Sequence, residues 1–155
     1  MEKLTNYTLG FIFNKELNKV LLIQFPNKGK WNDGFINGVG GHIDKGETPL
    51  QCMMREAAEE ADFYSTKDRW NYAGMYDGTN SSNPFKIYTF YCQFEEHLIK
   101  AFNGEEGSTN WYTIENIPKL KTVSNLQWMV PFCIAKIKGE IHGTFHANYV
   151  DNSAV

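Results

Sequence analysis

The chain is poor in the residues that announce the most easily read chemistries. Only three of its 155 residues are cysteine, and Cys52, Cys92 and Cys133 stand far apart with no CxxC pair. That spacing speaks against a disulfide framework and against a thiolate zinc site. The four histidines, His42, His97, His142 and His146, do not cluster, and each reads as a polar strand or loop residue. Positive charge is not in surplus: 15 Lys and Arg against 18 Asp and Glu leave a net charge of −3, so no stable nucleic-acid binding is expected. No apolar run reaches the roughly 18 residues of a membrane span, and no leader pattern precedes the first apolar segment. The expectation is a soluble cytoplasmic protein with no membrane partner. Internal repeats, linkers and low-complexity runs are also missing. Residues 1–155 therefore read as one domain, long enough to bury a proper core.

What the chain does have is aromatics, 15% of all residues, which suits a stacking pocket or a well-filled core. It also has one unusual stretch, from Gly40 to Phe63, in which a glycine loop feeds a short helix. Thr48 suits the N-cap, Pro49 the first helical position, and Gln51 the third position of a capping box. Leu50, Met54, Ala57 and Ala61 recur at helical spacing and form one narrow apolar stripe. Glu56, Glu59 and Glu60, spaced i, i+3 and i+4, share a different face. Arg55 stands one turn before Glu59 and can brace it. An acidic face of this kind is most often just solvated. Three like charges on one patch nonetheless repel, and a cluster of hard oxygen donors is what Mg²⁺ or Mn²⁺ needs when it bridges to phosphates.

The segment resembles the Nudix box, G-x5-E-x7-R-E-U-x-E-E-x-G-U with U aliphatic. Gly41, Glu47, Arg55, Glu56, Glu59 and Glu60 fall at the required spacing. Two positions depart: the bulky aliphatic is Ala57 and the late glycine is Asp62. Ala57 only thins the apolar stripe. Asp62 lies where a helix often ends in a left-handed residue, which Asp tolerates less well than Gly.

Around the box the pattern is β-rich. Residues 7–14 and 20–25 read as a hairpin joined by the polar turn 14–18. Residues 26–30 form a basic loop, either an ordinary solvated turn or a contact to a triphosphate through Lys28. The glycine-rich run from Trp31 to Gly41 implies tight turns. Strands are expected at 71–78, 86–94 and 111–114, with loops at 80–84 and, carrying Glu105 and Glu106, at 103–107. A helix over 125–138 is expected with Ser124 as its cap and Pro131 as a kink or a later start. Residues 141–146 read as a closing strand. The Nudix resemblance implies an α+β fold, a mixed β-sheet sandwiched between helices.

The resemblance extends to the MutT-type branch that hydrolyses oxidised purine nucleoside triphosphates. Asn37-Gly38-Val39-Gly40-Gly41 is similar to that branch's approach to the box. Trp111, Ile117-Pro118, Pro131 and His142-Gly143-Thr144-Phe145 follow the order of its C-terminal part. It implies a Mg²⁺ cofactor, or Mn²⁺ in its place, on Glu56, Glu59, Glu60 and the Gly40 carbonyl. Glu106, or alternatively Glu105, adds a ligand or acts as base, with Glu56 also a candidate base. It implies that Asn37 contacts the base. The base-reading aromatic and two acids of that branch are here Val123, Asn125 and Leu126, and Asn125 falls where the bacterial MutT enzyme carries a purine-reading Asn. Stacking then falls to Phe35, Trp31 or Trp128. The implied reaction is water attack on a nucleoside triphosphate, giving the monophosphate and pyrophosphate. A pyrimidine, pterin or ADP-ribose substrate, and a silent ligand-sensing domain, remain the alternatives.

Overall fold

Side chains alternate between the two faces of an extended strand. Thr5–Phe13 (β1) and Lys19–Gln24 (β2) carry apolar residues on both. Phe11, Phe13, Val20 and Leu22 enter one buried cluster, and Ile12 and Leu21 enter a second on the opposite face. Strands apolar on both faces have to be covered twice. In the computed structural model, which describes residues 3–80 and 83–149, each face receives one helix. Pro49–Ala61 (α1) contributes Met53, Ala57 and Ala61 to the second cluster. Leu126–Ile137 (α2) contributes Leu126, Met129, Val130 and Cys133 to the first. Each fully buried Met or Leu contributes on the order of 1.5–3 kcal/mol. The architecture is the α+β sandwich that the sequence predicts.

The other strands are Ile36–Asn37 (β3), Asn71–Asn80 (β4), Asn83–Gln93 (β5), Phe102–Asn103 (β6), Ser108–Thr113 (β7) and Phe145–Asn148 (β8). They join one sheet in the order β6-β7-β2-β1-β5-β4-β8, with β3 pairing β2 off this path. β1 runs parallel to β5 and β4 parallel to β8, while the remaining pairs are antiparallel, which makes the sheet mixed. The predicted β1–β2 hairpin is present. Asn14 closes its turn by accepting the backbone N–H groups of Asn18 and Lys19, both at 3.0 Å.

The start of α1 follows the sequence expectation. Gln51 N–H donates to Thr48 Oγ1 at 3.1 Å, Thr48 N–H donates to Gln51 Oε1 at 2.9 Å, and Pro49 leads the helix. The exit falls at Asp62, left-handed with φ 53°, and Phe63 N–H returns to the Ala57 carbonyl at 3.2 Å. Asp takes the position without displacing the end of the helix.

Several expectations are corrected. The apolar stripe of α1 is present but is not its whole buried side: Ala57 and Ala61 are buried and Leu50 and Met54 pack half-buried against the same cluster, while Cys52, Met53, Glu56 and Glu60 also lie deep. Two of the three clustered acids therefore turn inward. α2 takes Asn125, not Ser124, as its N-cap, with no side-chain capping bond, and it runs through Pro131. The closing strand begins at Phe145 and not at residue 141, because residues 141–144 stay exposed and only 145–148 reach the free edge of β4. Where a loop is expected over 80–84, β4 runs to Asn80 and β5 starts at Asn83, and Ser81 and Ser82 lie outside the described residues. Among the described residues no helix is long and apolar enough to cross a membrane.

Candidate active site

The segment from Asn37 to Gly41 leaves β3 and lies against the backbone of β1. Gly10 N–H donates to Val39 O at 2.6 Å, Val39 N–H to Gly10 O at 3.1 Å, and Thr8 N–H to Gly41 O at 2.9 Å. The loop is thus fixed to the centre of the sheet before it turns into α1. Cys52, on the first turns of α1, holds the next peptide, with its Sγ 3.3 Å from the His42 carbonyl and 3.2 Å from Thr8 Oγ1. Burial pushes this thiol up to about 11, so it stays a neutral donor at pH 7.

Arg55 organises the acids. Its Nε donates to Glu47 Oε2 at 2.8 Å and its Nη2 to Glu47 Oε1 at 3.0 Å, a two-pronged grip. The same guanidinium reaches Glu56 Oε1 at 3.0 Å, the His42 carbonyl at 2.9 Å and Glu59 Oε2 at 3.3 Å. The expected brace on Glu59 is therefore its longest bond, and its tightest hold is on Glu47. Glu47 also accepts Asp44 N–H at 3.0 Å, which fixes the turn into the helix. The Arg55 hydrogen bond pulls the Glu47 carboxyl down to about 2.

Glu56 and Glu60 are buried, at 8% and 3% exposure, while the Glu59 side chain is 59% exposed. Glu60 Oε1 accepts Gly40 N–H at 2.7 Å, which ties the loop to the third turn of the helix. Burial pushes the Glu60 carboxyl up to about 8; the Gly40 N–H opposes the shift, and the charges of Glu56, Glu106 and Glu59 add to it. Burial also raises Glu56, against Arg55, with Glu59 and Glu106 reinforcing the rise. A Cβ on Gly41 would stand 2.6 Å from Glu56 Oε1, so the box glycine is the space in which that carboxylate sits. Gly41 has no positive φ, and its role is steric alone. Gly41→Ala is accordingly expected to fold and to lose roughly tenfold in kcat through displacement of Glu56, checked by initial rates beside a thermal melt.

These donors suit a hard divalent cation. All are carboxylate or carbonyl oxygens, and their mutual repulsion is relieved by a positive ion between them. Among the described residues no three His, Cys, Asp or Glu side chains converge tightly enough to enclose an ion on their own.

The turn between β6 and β7 brings in the remaining acids. Gly104 N–H donates to Gly107 O at 2.9 Å, with Glu105 and Glu106 at the tip. Gly104 packs beside the Glu59 carbonyl, so the turn leans on the second half of α1. The charge of Glu106 at this tip reaches Glu56 and Glu60. Glu105 and Glu106 line a small cleft together with Phe25, Lys28, Lys30 and Asn32. A larger open polar cleft walled by Lys15, Asp68 and Arg69 lies apart from these acids, and its Lys15 already faces Glu95 at 3.8 Å.

The expected base-binding residues fall in two groups. Asn37 sits in β3 opposite Ile23, extended and without positive φ, and its Oδ1 accepts Gly38 N–H at 2.8 Å. Ile36 takes Val123 N–H at 3.1 Å, which sets the Asn37 strand beside the segment leading to Asn125. Asn125 Oδ1 accepts Trp128 Nε1–H at 2.9 Å, and its side chain lies near the Tyr76 hydroxyl. Trp128 packs edge-on against Phe145 at 4.9 Å, so its ring is already engaged. Trp31 is 80% exposed, T-shaped to Phe35 at 6.1 Å, and Lys121 Nζ stands 4.6 Å over the Phe35 ring. The sequence reading missed Tyr76, which meets Phe85 at 5.5 Å and Tyr149 at 6.4 Å beside the Asn125 amide. Alternation of aromatics along β4 and β5 was the available signal.

Comparison with known proteins places the chain in a family and a fold. The family described as NUDIX domain matches residues 4–130. The chain is 26% identical over 131 residues to an uncharacterized Nudix hydrolase, YvcI, of Bacillus subtilis, covering 83% of this chain and 78% of that protein. It is 28% identical over 104 residues to the NAD-capped RNA hydrolase NudC of Vibrio cholerae, covering 67% of this chain but only 36% of that longer protein. Among solved structures, a MutT protein from Bacillus halodurans superposes with TM-score 0.71 at 16% identity, over 96% of this chain and 92% of that one. The NUDIX domain of Shewanella oneidensis NrtR, in complex with ADP ribose, superposes with TM-score 0.73 at 12% identity, over 88% and 90%. Likeness at such identities is likeness of fold.

Proposed function

The chain belongs to the Nudix family, and from that premise we propose that it hydrolyses a purine nucleoside triphosphate, oxidised purines included, to the monophosphate and pyrophosphate. The observation that carries the proposal is the inward-turned carboxylate pair, Glu56 and Glu60, coupled to Glu59 and Glu106 beneath a glycine loop. Burying mutually repelling acids destabilises a fold unless a cation or proton relieves them. Glu56, Glu59, Glu60, Glu106 and the Gly40 carbonyl are the groups assigned to hold Mg²⁺, or Mn²⁺. When bound, that ion neutralises phosphate charge and acidifies water. In the reaction a water oxygen bonds to one of the two phosphorus atoms of the α–β bridge, and the bond from that atom to the bridging oxygen breaks with its electron pair on the departing pyrophosphate or nucleoside monophosphate. The proton released goes to one of Glu56, Glu105 and Glu106, the carboxylates within this cluster. Arg55 orients the carboxylates and Glu47 fixes the loop. The cytoplasm suits three buried free thiols.

The purine reading rests on two asparagines, Asn37 in β3 and Asn125 at the head of α2. An amide offers a donor and an acceptor, as a purine edge requires. Asn125 is oriented in advance by Trp128. Lys28 is assigned to the phosphates, and Phe35 and Trp31 to stacking. A nucleotide panel with Mg²⁺, detecting pyrophosphate against phosphate, tests the proposal. Asn125→Ala is expected to flatten the kcat/KM ratio between 8-oxo-dGTP and dCTP by about tenfold or more, since a buried amide left unpaired by the wrong base costs about 1–3 kcal/mol. A wild type that prefers dCTP or ADP-ribose overturns the purine assignment; an intact preference in Asn125→Ala transfers the role to Asn37.

A further inference from the structure

We infer that Phe145, on the edge strand β8, is a positioning residue for base selection: its ring fixes the Trp128 indole, and the indole N–H in turn fixes the Asn125 amide. The inference deepens the proposed function and rests on its assignment of Asn125 to the base.

Asn125 needs an external hold. It is the N-cap residue of α2, yet its backbone is helical, with φ −80° and ψ −14°, and its side chain makes no capping bond. A capping side chain is normally fixed by the N–H groups of its own helix. Here the amide is left to tertiary partners. Trp128, one turn on, donates its Nε1–H to Asn125 Oδ1 at 2.9 Å. An indole N–H can only donate, so this bond also fixes which end of the amide is the oxygen.

The hold is only as firm as the indole. Trp128 is 36% exposed, and a ring at the surface turns about its side-chain torsions unless something stops it. β8 supplies the stop. The Phe145 ring meets Trp128 edge-on, with centroids 4.9 Å apart and planes at 83°, and meets Phe132 at 5.3 Å and 89°. Aromatic rings prefer this edge-to-face arrangement. Both partners lie on α2, so the edge strand reaches across to the helix that carries Asn125.

The sheet is shaped to admit that ring. Gly74 on β4 stands opposite Phe145 in the parallel β4–β8 register, just after β4 shifts its pairing with β5 between Tyr72 and Gly74. A Cβ on Gly74 would stand 2.5 Å from Phe145 Cγ and 2.6 Å from its Cδ2. The Phe145 ring therefore occupies the place where a side chain on β4 would be. The strand is tied down beside it: His146 Nε2 lies 3.0 Å from Asp77 Oδ2, and Lys136 Nζ of α2 donates to the Gly143 carbonyl.

The test measures kcat/KM for 8-oxo-dGTP and dCTP with Mg²⁺ in Phe145→Leu, with Phe145→Tyr as the ring-keeping control. Phe145→Leu is expected to flatten the purine-to-pyrimidine ratio about three- to tenfold, the scale of one lost aromatic pair. The loss should fall on KM for the purine, with kcat within about twofold. Phe145→Tyr should restore most of the ratio. In an Asn125→Ala background Phe145→Leu should change the ratio no further, because both act through one amide. General loss of packing would lower both backgrounds alike. Without turnover, the Trp128 indole N–H, followed by NMR, should exchange with solvent faster in Phe145→Leu by a similar factor. Should Phe145→Leu fail to fold, Trp128→Phe keeps an aromatic ring, removes the N–H and should flatten the ratio to the same extent. An unchanged ratio in whichever variant is measured overturns the inference, and so does a full second loss on top of Asn125→Ala. If Asn125→Ala itself flattens the ratio, the proposed function stands in both cases. A wild type that prefers dCTP or ADP-ribose, or an Asn125→Ala that keeps the purine preference, overturns the assignment of Asn125 and this inference with it.

Discussion

Glu60→Gln is expected to lower kcat at saturating Mg²⁺ by at least about 100-fold while leaving the metal-free fold nearly intact, since losing a ligand costs no less than losing a group behind it. Glu60 is 3% exposed and its carboxyl lies near 8, so in the metal-free protein it is mostly neutral at pH 7. Glutamine is a neutral isostere that can still accept the Gly40 N–H. What it cannot supply is an ionised oxygen. The sign of the pH effect follows from linkage. The carboxyl ionises near 4.5 in the unfolded chain and near 8 in the folded one, so the folded state binds more protons between those values and stability falls as pH rises through that window. Thermal melts in chelator from about pH 5 to about pH 9 should show this decline in the wild type and a flatter profile in Glu60→Gln. Near wild-type turnover in the variant would sink the ligand assignment. Glu59→Gln, altering an exposed side chain, should lose activity with little change in the melts.

Arg55→Ala carries the second large effect, on stability as well as on rate. It removes the two-pronged grip on Glu47 and the bonds to Glu56, Glu59 and the His42 carbonyl together. The side chain is part-exposed, so solvent screens the loss, and about 1–3 kcal/mol is the expected scale, below that of a fully buried pair. Glu47 is held down to about 2, which stabilises the fold above the unfolded value of 4.5 and loses that effect as pH falls through 2. Arg55→Ala should therefore lower Tm at neutral pH and remove part of the acid dependence. kcat should fall about 10- to 100-fold, because the carboxylates lose their orientation. Lysine should rescue poorly, since it lacks the planar fork that meets both Glu47 oxygens. A raised KM with intact kcat would reassign Arg55 to substrate binding.

Local chemistry was legible in the sequence. The capping box at Thr48 and Gln51, the left-handed exit at Asp62 and the hairpin turn at Asn14 depend on residues within a few positions of one another. The full buried face of α1 was not legible, because a periodicity rule sends Glu56 and Glu60 outward. The fold turns them inward because the Gly40 N–H, Arg55 and the space at Gly41 receive them. The placement of Asn125 near Tyr76, and the cleft lined by Lys28 and Glu106, were equally hidden. Both depend on registers between strands distant in sequence, which no local pattern encodes. The start of β8 was misplaced because the edge of β4, not the propensity of residues 141–144, decides where pairing begins.

The parallel register of β1 with β5 has a consequence for how the chain reaches this structure. Thr5 pairs with Phe85 and Phe13 with Gln93, so the central ladder joins the first strand to one made much later in synthesis. β1 and β2 meet early across a short turn, yet the other edge of β1 keeps its amides and carbonyls unpaired until residues 83–93 emerge. Closing so long a loop makes this the slow step of folding. In the interval the Gly10-Phe11-Ile12-Phe13 segment is an open apolar edge of the kind that recruits other chains. A nascent chain stalled before residue 83 is therefore the species that calls for a chaperone, however stable the finished sheet.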